Sequence, residues 1–391
     1  MEKLFAVIGV ILIVAITYLF SSNKKSINWK SVGFAFIGQF VLAILLIKTP
    51  GWKLVEWLSS GMNWLLAQAQ DGIDFVFGGL VPEGNFVFFV NSLLPIVFIS
   101  AVMGVLFHFG IIQFVIRIVG KFVAKVLRVD TIVAVNGISN MFLGQSESLF
   151  VTKAYLASAK DSVIFATLVG GMTSISASVI GLYVGYGASM EWILVSMPLT
   201  VFSTFVLTQI LMPTSYKEEK IEIVTDDKGC NVIETMMNYA NAGFRSVIGI
   251  SVALMAFLSA VALINNFMGI FWDGMTLQKI IGVVFYPLSL LMGVPMNELG
   301  AVSQILATKF VTNEAVAFAL PQFSELSINA KAMMTVALCG FAGIGSIGNL
   351  MGGYSAVAPN KVKTVAKLGF KALLTATLVN IMTAAVVGLM L

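Results

Sequence analysis

Two carboxylates stand where carboxylates are costly. Glu147 closes the run Gly144-Gln145-Ser146-Glu147 inside the apolar stretch 131–160, and Glu314 follows Asn313 inside the apolar stretch 299–320. A charge buried in hydrocarbon costs several kcal/mol unless it is well bonded. Each carboxylate therefore either binds a donor on a neighbouring helix or meets a polar solute. The amides of Gln145 and Asn313 beside them suit recognition of hydroxyls and amides. Paired carboxylates also serve glycoside hydrolysis, but these two lie in separate segments, where water would be scarce. Asn140, Ser174 and the backbone carbonyls around Leu143 and Ile175 offer the oxygen ligands that a hard cation takes. The same side chains in a membrane commonly bond to a neighbouring helix instead. His108 is the one histidine, and Cys230 and Cys339 the two cysteines, so a multi-histidine metal centre and a disulfide framework are excluded. No G-x-x-x-x-G-K-[ST], H-E-x-x-H or G-x-S-x-G run occurs, which removes support for ATP-driven transport and the commoner membrane hydrolases.

The elements that must position these residues are membrane helices. Of 391 residues 58% are hydrophobic and 11% charged, with a mean hydropathy of +0.96. A soluble fold of this size cannot hide so much apolar surface, so the chain reads as an all-α polytopic membrane protein in a lipid bilayer. A net charge of +4 does not point to nucleic acid. Eight uncharged apolar stretches can each cross: 4–23, 31–47, 84–116, 162–190, 192–216, 246–272, 332–360 and 372–391. The first lacks a strongly basic start and an A-x-A-like exit, so it reads as a retained helix, not a leader. Two further stretches, 131–160 and 299–320, are interrupted by polar residues and suit re-entrant hairpins with polar tips facing protein or water. Residues 280–297 read as an apolar helix along the membrane edge, 50–83 as an interfacial helix carrying Trp52, Trp57 and Trp64, and 212–243 as a solvated polar linker. With residues 21–30 in the cytoplasm and both hairpins returning to their own side, 17 of the 23 lysines and arginines are cytoplasmic and both termini lie outside. Lys309 counts among the other six.

The order of parts repeats. A short basic amphipathic helix at 110–129 precedes the Glu147 hairpin, then comes a small-residue helix through Ser174–Ser178, then a span. In the second half an apolar helix precedes the Glu314 hairpin, then comes a glycine-rich helix through Gly340–Gly348, then a span. Glu147 to Ser178 is 31 residues and Glu314 to Ser346 is 32. The two copies enter from opposite sides, the inverted repeat of secondary transporters, whose sites lie where broken helices meet. The expected organisation is N-terminal scaffold helices at 1–109 and a first repeat at 110–211 (hairpin 131–160, broken helix 162–186, helix 192–211). A linker and scaffold helix follow at 212–277, then a second repeat at 278–391 (hairpin 299–320, broken helix 332–357, helix 372–391).

Gly144-Gln145-Ser146-Glu147, Thr312-Asn313-Glu314, Phe341-Ala342, Ser346-Ile347-Gly348 and Phe75-Val76-Phe77-Gly78-Gly79 together resemble the concentrative nucleoside transporter family in its bacterial form. The resemblance runs the length of the chain. It implies a homotrimer in a bacterial cytoplasmic membrane, each protomer with eight helices and two hairpins, importing nucleosides with a cation and using no cofactor. It also implies that Gln145, Ser146 and Glu147 meet the nucleobase, that Glu314 beside Asn313 meets ribose hydroxyls, and that Phe341 and Ser346 line the pocket. Sodium would take Asn140, Leu143, Ser174 and Ile175; proton-coupled members lack the equivalent of Asn140. Three positions depart from the family pattern: Gly343 where it usually has Asn, Gly345 where it commonly has Ser, and Ala315 where it commonly has Phe. Gly343 removes an amide from the sugar pocket, which opens it to deoxynucleosides, modified nucleosides or ribose-like solutes. A passive channel with the same polar tips as a filter is the alternative.

Overall fold

The computed structural model describes residues 1–80, 87–216 and 229–391, and among them there are helices and no strands. The N-terminal part holds α1 (Glu2–Leu19), α2 (Trp29–Ile47), α3 (Gly51–Phe77) and α4 (Pro95–His108), the last continuing a π-helical turn at Phe89–Leu93. There follow α5 (Ile111–Leu127), α6 (Thr131–Ser139), the short α7 (Glu147–Val151) and α8 (Lys153–Leu156), α9 (Asp161–Thr173), α10 (Ile180–Gly185) and α11 (Met190–Leu211). The second half holds α12 (Val232–Phe271), α13 (Leu277–Leu291), α14 (Leu299–Val311), α15 (Glu314–Phe318) and α16 (Pro321–Glu325). It closes with α17 (Ile328–Leu338), α18 (Gly345–Val357) and α19 (Val362–Met390).

Local chemistry sets many of these boundaries. Asn28, Asp130, Ser189, Asn231, Thr276, Asn313 and Ser327 each accept a hydrogen bond from a backbone amide of the helix they precede. Such caps satisfy donors that a helix start leaves without a partner. Gly110 at φ +75° ends the apolar run after His108, so the stretch 84–116 yields α4 and a separate α5. His108 Nδ1 pairs with Thr235 Oγ1 at 2.9 Å, at the junction of α4 and α12.

The core is α9, α11 and α19 packed together with α17, and it is buried over most of its length. By contrast α12 keeps most of its apolar side chains outside, Leu263, Phe267, Ile270 and Phe271 among them. An apolar exterior on this scale needs a hydrocarbon solvent.

Among the described residues seven helical segments are long and apolar enough to cross a membrane, the interrupted 161–185 counted as one, against eight apolar stretches in the sequence. The difference is 332–360, which is split into α17 and α18 by non-helical backbone at Cys339–Ile344. The polar linker is also shorter than expected, because residues from Val232 onward already belong to the 40-residue α12; residues 217–228 of that linker and 81–86 before the third span lie outside the described residues. The expected interfacial helix is α3, with Trp57 and Trp64 exposed and Val55, Ser59, Ala69 and Ile73 buried. Lys309 leaves the set of loop charges, since it is buried at the end of α14.

Helix α13 lies between α1 and α14. Gly9 faces its backbone: a β-carbon there would sit 1.9 Å from the carbonyl oxygen of Leu291. Gly9→Ala should push α1 off α13 and cost about 1–3 kcal/mol, the range for overpacking a close contact. Thermal unfolding in detergent should show a midpoint several degrees lower, whereas an unchanged midpoint would mean that α1 does not seat on α13.

Candidate functional site

The two expected hairpins are α6 with α7, joined by residues 140–146, and α14 with α15, joined by Thr312 and Asn313. The two expected broken helices are α9 with α10, interrupted at 174–176, and α17 with α18, interrupted at 339–344. Hairpin tips and breaks meet. The first tip touches the first break where the Ala177 amide donates to the Phe142 carbonyl at 3.4 Å. It touches the start of α18 where Ser146 Oγ donates to the Asn349 carbonyl at 3.3 Å. The second tip lies against the second break: the Ile344 amide donates to the Phe310 carbonyl at 3.0 Å, and a β-carbon on Gly343 would lie 3.0 Å from the carbonyls of Lys309 and Thr312. The breaks touch each other, since a β-carbon on Gly340 would lie 2.6 Å from the Thr173 carbonyl. Glycine at 340 and 343 is what lets these backbones close on one another.

Around the first tip, Asn140 and Gln145 are both buried. Asn140 Nδ2 donates to Asn136 Oδ1 at 3.1 Å, and Asn136 Nδ2 donates to the Ser148 carbonyl at 3.3 Å. Asn140 Oδ1 and Gln145 Oε1 have no hydrogen-bond partner among the described residues. Asn140 lies over the last turn of α9, with its Nδ2 3.3 Å from where a β-carbon on Gly170 would be. Beyond that turn Ser174 is extended, at φ −107° and ψ 165°, which takes the backbone of Ser174 and Ile175 out of the helical ladder. Asn140, Leu143, Ser174 and Ile175 are thus buried around one helix break. Two polar side chains and two main-chain carbonyls lie near that break.

Glu147 and Gly144 line a cavity of about 630 Å³, together with Leu143, Phe142, Ser176 and Ser178. The far wall is α12, through Asn238, Asn241 and Arg245. A cavity of this size is in the range of small-molecule sites. Glu147 folds back over Gly144, so that a β-carbon at 144 would lie 2.1 Å from its Oε2.

Around the second tip, Glu314 is buried and its Oε1 accepts from the Tyr183 hydroxyl at 3.1 Å. Tyr183, on α10, is itself fully buried and stacks on Phe318 at 4.8 Å. Asn313 Oδ1 accepts from the Val316 amide at 2.9 Å, so that oxygen is spent on capping α15. Gly343 brings backbone alone. Ser346 Oγ donates to the Phe341 carbonyl, which ties the break to the first turn of α18. The 630 Å³ cavity reaches Glu147 but not Glu314, Phe341 or Ser346.

Tyr183, Asn136 and the α12 wall carry no motif in the sequence. The signal for Tyr183 was a lone phenol in an apolar helix, since a buried tyrosine hydroxyl finds a partner.

A family model described as the C-terminus of the Na+ dependent nucleoside transporter matches residues 192–388, and its N-terminal counterpart matches 8–80. The chain belongs to this nucleoside transporter family. A model described as a nucleoside-recognition gate matches residues 89–190, between the other two. An uncharacterized transporter of Haemophilus influenzae is 33% identical over 100% of this chain and 98% of its own length. The nucleoside permease NupC of Helicobacter pylori is 30% identical over 99% and 98% respectively. The solved structure of CNTnw in an inward-facing substrate-bound state is similar with a TM-score of 0.94 and 33% identity, covering 100% of this chain and 98% of that one. A doubly substituted CNTnw in an outward-facing state gives a TM-score of 0.94 at 33% identity, covering 100% and 99%. The family consists of membrane transporters, not enzymes, so the glycoside chemistry weighed for the two carboxylates falls away.

Tyr183→Phe keeps the ring on Phe318 and deletes only the donor to Glu314. We expect the variant to fold and to bind nucleoside about 10–150-fold more weakly, the equivalent of about 1.5–3 kcal/mol for one hydrogen bond to a charged group. Calorimetric titration of purified protein checks this, and unchanged affinity would mean that Tyr183 does not orient Glu314 for substrate.

Proposed function

We propose that this chain imports nucleosides in symport with sodium by alternating access. The observation that carries the reading is the pair of buried acceptors at the first hairpin tip, Asn140 Oδ1 and Gln145 Oε1, that lack partners among the described residues. A buried polar atom without a partner costs about 1–3 kcal/mol. Two such atoms five residues apart, both on side chains at the first hairpin tip that lie against the last turn of α9, are supplied in this reading by two ligands: a cation for the first and a nucleobase edge for the second.

In this reading Asn140, Ser174 and the carbonyls of Leu143 and Ile175 hold sodium. The bound ion fixes the loop that carries Gln145 and Ser146, which with Glu147 read the base. Glu314, oriented by Tyr183, takes the ribose hydroxyls; Asn313 offers its amide nitrogen, and Phe341 and Ser346 close the sugar side. Gly343 brings the second tip nearer the break than an asparagine would allow, so the sugar pocket is shaped by backbone. Residues 110–211 and 278–391 act as the two inverted repeats, moving against the helices of 1–109 and 212–277. The protein is a homotrimer of the bacterial cytoplasmic membrane, with re-entrant hairpins and both termini outside. Binding preferences that differ between the two states convert the cation gradient into substrate accumulation.

Uptake into proteoliposomes with a panel of ribo-, deoxy- and modified nucleosides tests this directly. We expect accumulation above equilibrium under an inward sodium gradient. Equilibration without accumulation would establish a passive channel, and accumulation driven by a proton gradient alone would replace sodium by protons. In the same assay Glu314→Gln should remove most uptake while the protein stays folded, because charge-assisted bonds are about twice as strong as neutral ones; wild-type kinetics would remove Glu314 from the site. Asn140→Ala should raise the sodium concentration for half-maximal uptake more than it lowers uptake at saturating sodium. An unchanged sodium dependence would leave Asn140 as a helix-to-helix bond only.

A further inference from the structure

Lys309 is 4% exposed, on the last turn of α14 in the second hairpin, and the transport reading above gives it no task. Its ammonium donates to the carbonyl of Ala337 at 2.6 Å. Ala337 is the penultimate residue of α17, so this is one of the final carbonyls that a helix leaves without an internal donor. The second partner is Asn380 on α19, itself buried. With its amide oriented to satisfy both neighbours, Asn380 accepts from Lys309 Nζ at 2.7 Å and donates to the Thr173 carbonyl at 3.2 Å. Thr173 is the last residue of α9, directly before Ser174.

The two breaks therefore have the same electrostatic form. Each follows the C-terminal end of a helix, where carbonyls collect partial negative charge and a cation is favoured. Each is approached by the end of the first helix of a hairpin: Asn140 caps α6, and Lys309 lies in the last turn of α14. The space beside Lys309, Ala337 and Asn380 is about 10 Å³, room for little more than one water and not for a further hydrated ion.

We propose that Lys309 is the resident cation of the second break, and that Asn380 links it to the end of α9 so that the cation half-site and the Glu314 hairpin move as one unit. This rests on the symport reading above. Lys309 and Asn380 are positioning residues; neither meets the solute. When sodium orders the backbone at Ser174 and Ile175, the Thr173 carbonyl next to it is held, and with it Asn380, Lys309 and the hairpin that presents Glu314.

Asn380→Asp separates a link from a mere filler. It is isosteric and still accepts from Lys309, but a carboxylate has no proton to donate to the Thr173 carbonyl. The experiment is calorimetric titration of purified protein with uridine and with adenosine, at fixed pH, without sodium and at saturating sodium, choline replacing the ion. In Asn380→Asp the sodium-free affinity should stay within about threefold of wild type. The enhancement by sodium, of the order of 5–150-fold between coupled sites, should fall below about threefold. Should the aspartate variant not purify as a folded species, Asn380→Ala deletes both bonds without adding a charge and should show the same loss of enhancement. A wild type that sodium enhances, with an Asn380 variant that keeps that factor within about twofold, would overturn this inference alone, including the case where both affinities drop together. A wild type indifferent to sodium would overturn the sodium reading and this inference with it.

Discussion

Inside hydrocarbon, an amide or carbonyl released from a helix has no water to turn to and must find a partner in the protein. Among the described residues the two helix breaks, at 174–176 and at 339–344, release such groups. The rest of the architecture follows from serving those two places. The hairpin tips carry polar side chains to them, α18 reaches from one to the first tip through Asn349, and α19 bridges the two through Asn380. The buried core of α9, α11, α17 and α19 holds the breaks in register, while α12 turns an apolar flank outward.

That constraint also explains why binding and coupling belong at one point. Groups that lack a helical partner are ready ligands, and they are satisfied more fully with a solute present than without one. Asn140 Oδ1 and Gln145 Oε1 are the clearest cases at the first tip. At the second tip the equivalent demand is met internally, by Tyr183 on Glu314 and by Lys309 on Ala337. The first tip thus keeps two buried acceptors without partners among the described residues, and the second is braced by the protein itself.

Much of this was legible in the sequence. The apolar stretches, the carboxylates at Glu147 and Glu314 and the small-residue runs at Ser174–Ser178 and Gly340–Gly348 locate the spans, tips and breaks, because each is a local pattern of polarity or backbone freedom. What could not be read depends on long-range placement. Lys309 reads in sequence as one of the polar interruptions of the stretch 299–320, and only the approach of α17 and α19 shows it as an internal cation. Tyr183 reads as bulk until Phe318 and Glu314 come to it from the other half of the chain. The glycines of Gly340–Gly348 mark 332–357 as a broken helix, but not which six residues, 339–344, leave the helical ladder. Polar residues at Asn238 and Asn241 looked like linker, since a 40-residue helix extends past any one apolar stretch.

The central claim is that cation and nucleoside complete one site together, and thermodynamic linkage tests it most directly. Sodium affinity should be measured with and without saturating nucleoside, and nucleoside affinity with and without saturating sodium, on the same purified protein at several fixed pH values. Each ligand should tighten the other by the same factor, and this factor should change little with pH. A nucleoside affinity that ignores sodium and follows pH would contradict it.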